Sequence, residues 1–477
     1  MSTQHTKYSD RMFFDAVCCT AAREENAGTR QALAELTDRR RALPRPGLWD
    51  TAKASRPNRE ALTYLAGLLR QNPSPAVLHT IRADFDREVY RDTRCKIVFL
   101  LQEYSIWPAV EHFYRAAAAD PRFEAQAVYV PFFHENATGE DHNIEIYRAA
   151  GIPVRRYDEY DLSAENPEVV VFTKPYNSIP KQFYIAEVEK IVPHTIYVPY
   201  GLELNMRLIR YGFQDYTHYS VWRHLAYGEI VKTFGRQYGY RDGDNIVVWG
   251  HPRVDSYHLQ NTAVINETWR EKIAGRRTIL WCPHHTIVPG PECVSTWLDN
   301  KDAVFSFFEK HRDAVLLWRP HPLLFGALVS NGCMTQTELD TFLAEKQSQD
   351  NIILDQTPDY RTAFTMSDAL ITDGSTFSIE YLLTGKPLMI TTNSLEDFYE
   401  PEELEKALSI GRVHEDIHAF LEQILSGADP LREKRLAYAG RLFYRPADKT
   451  VSENILDHIL ADIETEIQMS IQRAIGA

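Results

Sequence analysis

From Arg94 onward, apolar runs of strand length alternate with stretches whose apolar residues recur at helical spacing. This alternation constrains the chain more than any other feature. Parallel neighbours in a sheet cannot be joined by a tight turn, so strands separated by helical stretches predict helical crossovers and parallel sheets. In a first half, strands are expected at residues 95–101, 125–131, 152–154, 168–172, 195–198 and 245–249, with helices at 107–119, 144–150, 183–191 and 229–238. In a second half, strands are expected at 278–282, 314–318, 351–354, 369–372 and 388–391, with helices at 262–273, 297–310, 338–346 and 359–366. Before Arg94 the pattern is helical, over 11–41 and 59–70, and after His418 it is helical again. Thr450-Val451-Ser452-Glu453 reads as a capping box that opens the last helix.

At 477 residues the chain is too long for one compact core. The reading is a helical extension over 1–90, a first α/β domain over 91–255, a second over 256–448 and a terminal helix over 449–477, with the hinge at Gly250-His251-Pro252-Arg253-Val254-Asp255. A formal net charge of −14 argues against a general nucleic-acid binder, and means that an anionic ligand needs a local cluster of donors. No apolar run approaches bilayer length and the N-terminus has no apolar signal core, so a soluble cytoplasmic protein is expected. The six cysteines, with no Cys-x-x-Cys pair, fit a reducing compartment. The arginine run Arg39-Arg40-Arg41 reads as a solvated helix face or as a contact for acidic headgroups or a polyanion.

In open parallel sheets, ligands bind beyond the carboxyl ends of the strands. Three polar clusters follow strands of the second half: Cys282-Pro283-His284-His285, Arg319-Pro320-His321-Pro322 and Asp373-Gly374-Ser375-Thr376. The last opens a helix, whose N-terminus offers free N–H groups and the positive end of its dipole to a phosphate. Arg319 suits bidentate contact with a phosphate, and a histidine can donate to an oxyanion or move a proton. Together the clusters read as a diphosphate site. Three histidines on one edge also suit zinc, but no short ligand spacing supports it, and no metal is expected. In the first half, Glu103, Tyr104 and Trp107 follow one strand, Thr173-Lys174-Pro175-Tyr176-Asn177 a second, and Pro199-Tyr200-Gly201-Leu202-Glu203 a third. Lys174 and Glu203 are the expected substrate contacts there, facing the second-half clusters across a cleft between the halves.

These motifs, in this order and with Gly250-His251-Pro252-Arg253, resemble the CDP-glycerol glycerophosphotransferase family of teichoic-acid-type polymerases and primases. The resemblance runs from about Arg94 to the C-terminus. It implies an α/β, GT-B-like fold of two Rossmann-like domains facing across a cleft, with the nucleotide held by the second and the last helix crossing back to the first. It implies a metal-independent transferase without a bound cofactor, in which an acceptor hydroxyl attacks the β-phosphate of a CDP-alditol and CMP leaves. The acceptor would be a glycan or lipid-linked polymer at the inner face of a membrane. By that implication His321 and Arg319 touch the transferring phosphate, Asp373, Gly374, Ser375 and Thr376 hold the diphosphate, and Glu380 bonds the ribose. Lys174, Tyr200 and Gly201 lie on the acceptor side. The family commonly carries His-Gly-Thr-Pro where this chain has Tyr200-Gly201-Leu202-Glu203. An unperturbed tyrosine is a poor base at neutral pH. The base is then Glu203, His284 or His285, or the donor differs. A sugar-nucleotide glycosyltransferase and a catalytically silent binding protein of the same fold are the alternatives.

Overall fold

The computed structural model describes residues 6–24, 26–42, 56–133, 142–258, 265–290, 293–374, 376–392 and 394–476. Two compact units emerge. The first comprises Met1–Val198, Ser220–Leu225 and Pro446–Ala477; the second comprises Pro199–Tyr219 and Ala226–Arg445.

The first unit is built on β1 (Cys95–Leu101), β2 (Phe123–Tyr129), β3 (Val154–Arg156), β4 (Val169–Phe172), β5 (His194–Tyr197) and β6 (Arg223–Leu225), ordered β3-β2-β1-β4-β5-β6. Every pairing is parallel. Ile97 to Leu101 are buried one after another rather than alternately, as expected for a central parallel strand covered on both faces. The expected helix over 107–119 is split, because Pro108 lacks the N–H that would continue it: a 3-10 turn, Tyr104–Ala109, precedes the helix Glu111–Ala119. The expected helix over 11–41 is likewise two helices, Lys7–Arg23 and Ala27–Ala42; between them Asn26 accepts the Gly28 N–H at 2.7 Å, a cap that starts the second helix. The arginine run is partly occupied within the unit. Arg40 pairs with Asp10 at 3.0 Å and lies over the Phe13 ring, and Arg41 approaches Asp38 at 3.6 Å.

The last helix, Val451–Ile475, opens with the capping box read from the sequence: Thr450 N–H donates to Glu453 at 2.8 Å and the Glu453 N–H returns to Thr450 Oγ1 at 3.1 Å. Ile455, Ile459, Ile463, Ile467 and Ile471 recur every fourth residue and are all buried. They face the helices Lys7–Arg23, Ala27–Ala42 and Glu111–Ala119. Each such side chain is worth about 1.5–3 kcal/mol on burial. At its polar edge, Glu466 accepts from Trp222 Nε1 at 2.6 Å and approaches His194, whose other ring nitrogen lies 3.0 Å from Glu168.

The second unit holds the short strand β7 (Ile246–Val247) and a sheet of β8 (Arg277–Cys282), β9 (Ala314–Trp318), β10 (Ile352–Leu354), β11 (Ala369–Asp373), β12 (Leu388–Thr391) and β13 (Ser409–Gly411). Its order is β10-β9-β8-β11-β12-β13, all parallel. The helix expected over 262–273 begins only at Glu267, capped by Asn266, and runs to Ile273; positions 262–264 of that expectation lie outside the described residues. The expected helix over 183–191 is one turn, Ile185–Val188, behind a 3-10 turn. None of the six cysteines is bridged. No helix among the described residues is long and apolar enough to cross a membrane.

Candidate active site

In the second sheet the chain steps from β8 to β9 and β10 in one direction, and from β11 to β12 and β13 in the other. The direction therefore reverses between β8 and β11, which is where such sheets leave a crevice at their carboxyl edge. Register places Cys282 beside Thr372 and Trp281 beside Trp318. The residues that follow these strands share that edge, and the His321 N–H donates to the Pro283 carbonyl at 3.0 Å. Beneath them Trp281, Trp297 and Trp318 stack, with adjacent ring centroids 4.8 and 5.5 Å apart. Buried indoles of this size fix where the two histidine-bearing strands end.

His284, His285 and His321 cluster, with ring centroids 4.4, 5.1 and 4.0 Å apart. One ring nitrogen of each lies within 4.8 Å of the others. Burial, reinforced by the neighbouring imidazoles, lowers the pKa of His284 to about 3 and that of His321 to about 2; burial also lowers that of His285. The rings are therefore neutral, and their tautomers follow from their partners. Leu323 N–H donates to His321 Nδ1 at 3.2 Å. Thr286 N–H donates to His284 Nδ1 at 3.4 Å, and the Thr286 hydroxyl, which accepts the Val294 N–H at 3.1 Å, sits 2.8 Å from the same nitrogen. With both Nδ1 atoms accepting, His284 and His321 each carry their proton on Nε2. His285 Nδ1 is buried without a hydrogen-bond partner.

Four of the expected ligands are instead engaged in the scaffold. Asp373 accepts the His284 N–H at 2.6 Å, the Thr296 N–H at 3.0 Å, and the hydroxyls of Thr296 and Thr391 at 2.6 and 3.0 Å. Burial raises its pKa against those bonds. It holds the histidine loop rather than a ligand. Gly374 is required by Phe398, whose ring occupies the space of a side chain, 2.1 Å from where a Cβ would stand. Arg319 is turned inward to Asp355 at 2.5 Å and the Thr357 carbonyl at 2.8 Å, because a buried guanidinium needs a carboxylate partner. Glu380 is fully buried and accepts from Arg253 at 2.6 Å, Tyr257 at 2.9 Å and Tyr360 at 2.5 Å, which leaves it no path to a ribose. The expected role of Ser375 falls outside the described residues. Thr376, half-buried, begins a helix of only five residues, Thr376–Glu380, that tightens into a 3-10 turn, so the dipole argument loses force.

The loop after β5 lies against this turn. A Cβ on Gly201 would come within 3.1 Å of Thr376 Oγ1. Beyond Gly201, Glu203 Oε1 accepts the N–H groups of Leu204 at 3.0 Å and Asn205 at 2.7 Å. Burial nevertheless raises its pKa to about 7. Tyr200, between Pro199 and Gly201, is half-buried. Lys174 belongs to the first unit, on the loop after β4. There its ammonium meets Glu103 at 2.6 Å and lies 3.7 Å over Phe132, and burial lowers its pKa. Sequence reasoning missed Thr296, Asp355 and Arg253 as the partners that orient these groups. Only Arg253 stood in a quoted motif, and nothing in the sequence pairs it with Glu380.

The chain matches no curated protein. Among solved structures, a UDP-N-acetylglucosamine 2-epimerase assigned as such in Listeria monocytogenes aligns at 16% identity over 78% of this chain and 97% of its own, with a TM-score of 0.55. The UDP-GlcNAc 2-epimerase of Methanocaldococcus jannaschii, solved with UDP-GlcNAc and UDP, aligns at 17% over 77% and 99%, with a TM-score of 0.51. A variant of the wall teichoic acid polymerase TagF aligns at 16% over 88% and 96%, with a TM-score of 0.47, too loose to carry an argument. At these identities the likenesses show the fold, α/β and GT-B-like. The family model of CDP-glycerol:poly(glycerophosphate) glycerophosphotransferase matches residues 215–461, just over half of the sequence, including the three strand-end clusters. The chain belongs to that family of transferases.

Proposed function

We propose that the chain transfers glycerol phosphate, or a related alditol phosphate, from a CDP-linked donor to a hydroxyl of a glycan or lipid-linked acceptor. The acceptor oxygen bonds to the β-phosphorus, the bond to the bridging oxygen breaks, CMP departs with that oxygen, and a phosphodiester forms. The observation that carries this reading is the pair of Nε2–H groups left by the bonding of His284 and His321. Two neutral donors on neighbouring rings, with centroids 5.1 Å apart at the switch point, suit a phosphoryl oxygen as acceptor. The transfer is read as metal-independent, with these rings donating to phosphate rather than ligating a cation. Glu203 serves as the base: at a pKa near 7 its carboxylate is available at neutral pH to take the acceptor's proton. Because positioning and charge stabilisation dominate phosphoryl transfer, Tyr200 in place of the family histidine is tolerated. Lys174 is assigned to acceptor binding, with no cofactor and with membrane contact only through the acceptor.

Purified protein given CDP-glycerol and a saccharide acceptor in the presence of EDTA should release CMP, and His321→Asn should abolish the release. Stabilisation by UDP- or GDP-sugars in preference to CDP-glycerol and CDP-ribitol would favour the glycosyltransferase reading. Donor binding with turnover indifferent to His321→Asn would sink the active-site assignment.

A further inference from the structure

The turn His251-Pro252-Arg253 ties the 199–203 loop to the helix that begins at Thr376. His251 is fully buried. Its Nδ1 accepts the Arg253 N–H at 3.2 Å and its Nε2 lies 2.8 Å from the Pro199 carbonyl. A carbonyl can only accept, and Nδ1 is already accepting, so the ring is neutral with its proton on Nε2. No other tautomer satisfies both partners, and a second proton would point at the Arg253 N–H. Burial and the Arg253 charge hold its pKa down at about 3, in keeping with that state. Two residues on, Arg253 Nη1 binds Glu380 at 2.6 Å, with both groups buried. One short turn therefore holds the start of the loop that carries Tyr200, Gly201 and Glu203, and the helix that begins at Thr376. Between these two elements the clearance at Gly201 is that of bare backbone, since a Cβ there would stand 3.1 Å from Thr376 Oγ1.

We propose that His251 is a positioning residue: through its Nε2–H bond to the Pro199 carbonyl it aims the 199–203 loop, and with it Glu203, at the turn around Thr376. The proposal rests on the reading of Glu203 and the histidine edge as the active site. The commoner role of a buried histidine is to satisfy its own turn, and the two roles use different ring nitrogens. Asparagine reproduces the Nδ1 acceptor and keeps the bond from Arg253 N–H; glutamine reproduces the Nε2 donor and keeps the bond to Pro199.

His251→Asn and His251→Gln in the full chain separate the two roles. Expected for His251→Asn is a fall in kcat of roughly 10- to 100-fold, the scale of a misplacement of about 1 Å, with KM for CDP-glycerol little changed and faster amide exchange across 199–205. His251→Gln should restore kcat to within about 3-fold of the parent, a residual below the roughly 1 kcal/mol of one hydrogen bond, and restore exchange protection. The reverse pattern, with the asparagine variant like the parent and the glutamine variant impaired, would overturn the proposal in favour of a local turn role. Failure of both variants to fold would also overturn it, since the residue would then support the fold rather than aim the loop. Should the parent itself release no CMP, the active-site reading fails on its own, while the exchange measurement still decides whether His251 holds the loop.

Discussion

Glu203 and Glu380 show how the same side chain takes opposite roles according to its partners. Glu380 meets a guanidinium and two phenols, all of which donate to its carboxylate inside the core. Replacing it with glutamine strips Arg253 of its counter-charge, a break that costs about 3–5 kcal/mol for a buried pair. Urea unfolding of Glu380→Gln should register a loss of that order, and a loss under about 1 kcal/mol, the range of exposed pairs, would show the pair to be solvated. Glu203 accepts two backbone N–H groups, which fail to offset its burial. Its base form grows as pH rises through about 7, so kcat should climb across that value and level off above it. Glu203→Gln should cost about 10²–10⁴ in kcat, the usual worth of a general base, and remove that limb of the profile; an unchanged pH profile would remove Glu203 from the mechanism. The residue types at the strand ends were legible in the sequence. Their directions were not, because Arg319 is turned inward by Asp355, 36 positions away, and Glu380 by Arg253, 127 positions away.

Elements were legible where local chemistry decides them. The helices Trp297–Lys310 and Glu229–Tyr238 and the strands Ala314–Trp318 and Leu388–Thr391 have the bounds their apolar periodicity predicts. Thr450 caps where its box says it should. Elements decided by distant contacts were not. The strand β6 carries Arg223 and His224 and has no apolar run, yet it pairs with β5 and is anchored by Asp462 of the last helix at 2.7 Å. The turn after β11 illustrates the same limit. Its glycine reads as room for a phosphate, but the space belongs to Phe398, which lies beyond β12. Gly374→Ala should therefore act as overpacking, costing about 1–3 kcal/mol, visible as a lowered Tm. If Tm were unchanged and donor affinity fell, the turn would regain the ligand role that Phe398 now takes from it.

At the scale of the molecule, histidines with shifted pKa values divide the response to pH between the two units. His218, His251, His284 and His321 all lie in the second unit, and burial holds their pKa values at about 4, 3, 3 and 2. Unfolded, each titrates near 6.5. Their contribution to stability is thus complete above that pH. It is lost as pH falls from there toward the folded values, at about 1.4 kcal/mol per pH unit for each group. The first unit contains the opposite case. Burial works to lower the pKa of His194, yet Glu168 and Glu466 raise it to about 9. That contribution is complete below about 6.5 and disappears as pH rises through 9. Calorimetry between pH 5 and 10 should show Tm falling on both sides of a maximum at about pH 6.5, with the second-unit histidines contributing to the acid limb and His194 to the alkaline limb. His321→Asn should flatten the acid limb by one proton's worth and leave the alkaline limb alone. His194→Gln should do the converse, at some cost in Tm throughout because Glu168 loses its charged partner. An acid limb of unchanged slope in His321→Asn would mean that the ring is protonated in the folded chain. Nδ1 would then carry a proton and could not accept the Leu323 N–H, so the bonding from which the Nε2 tautomer is read would be gone.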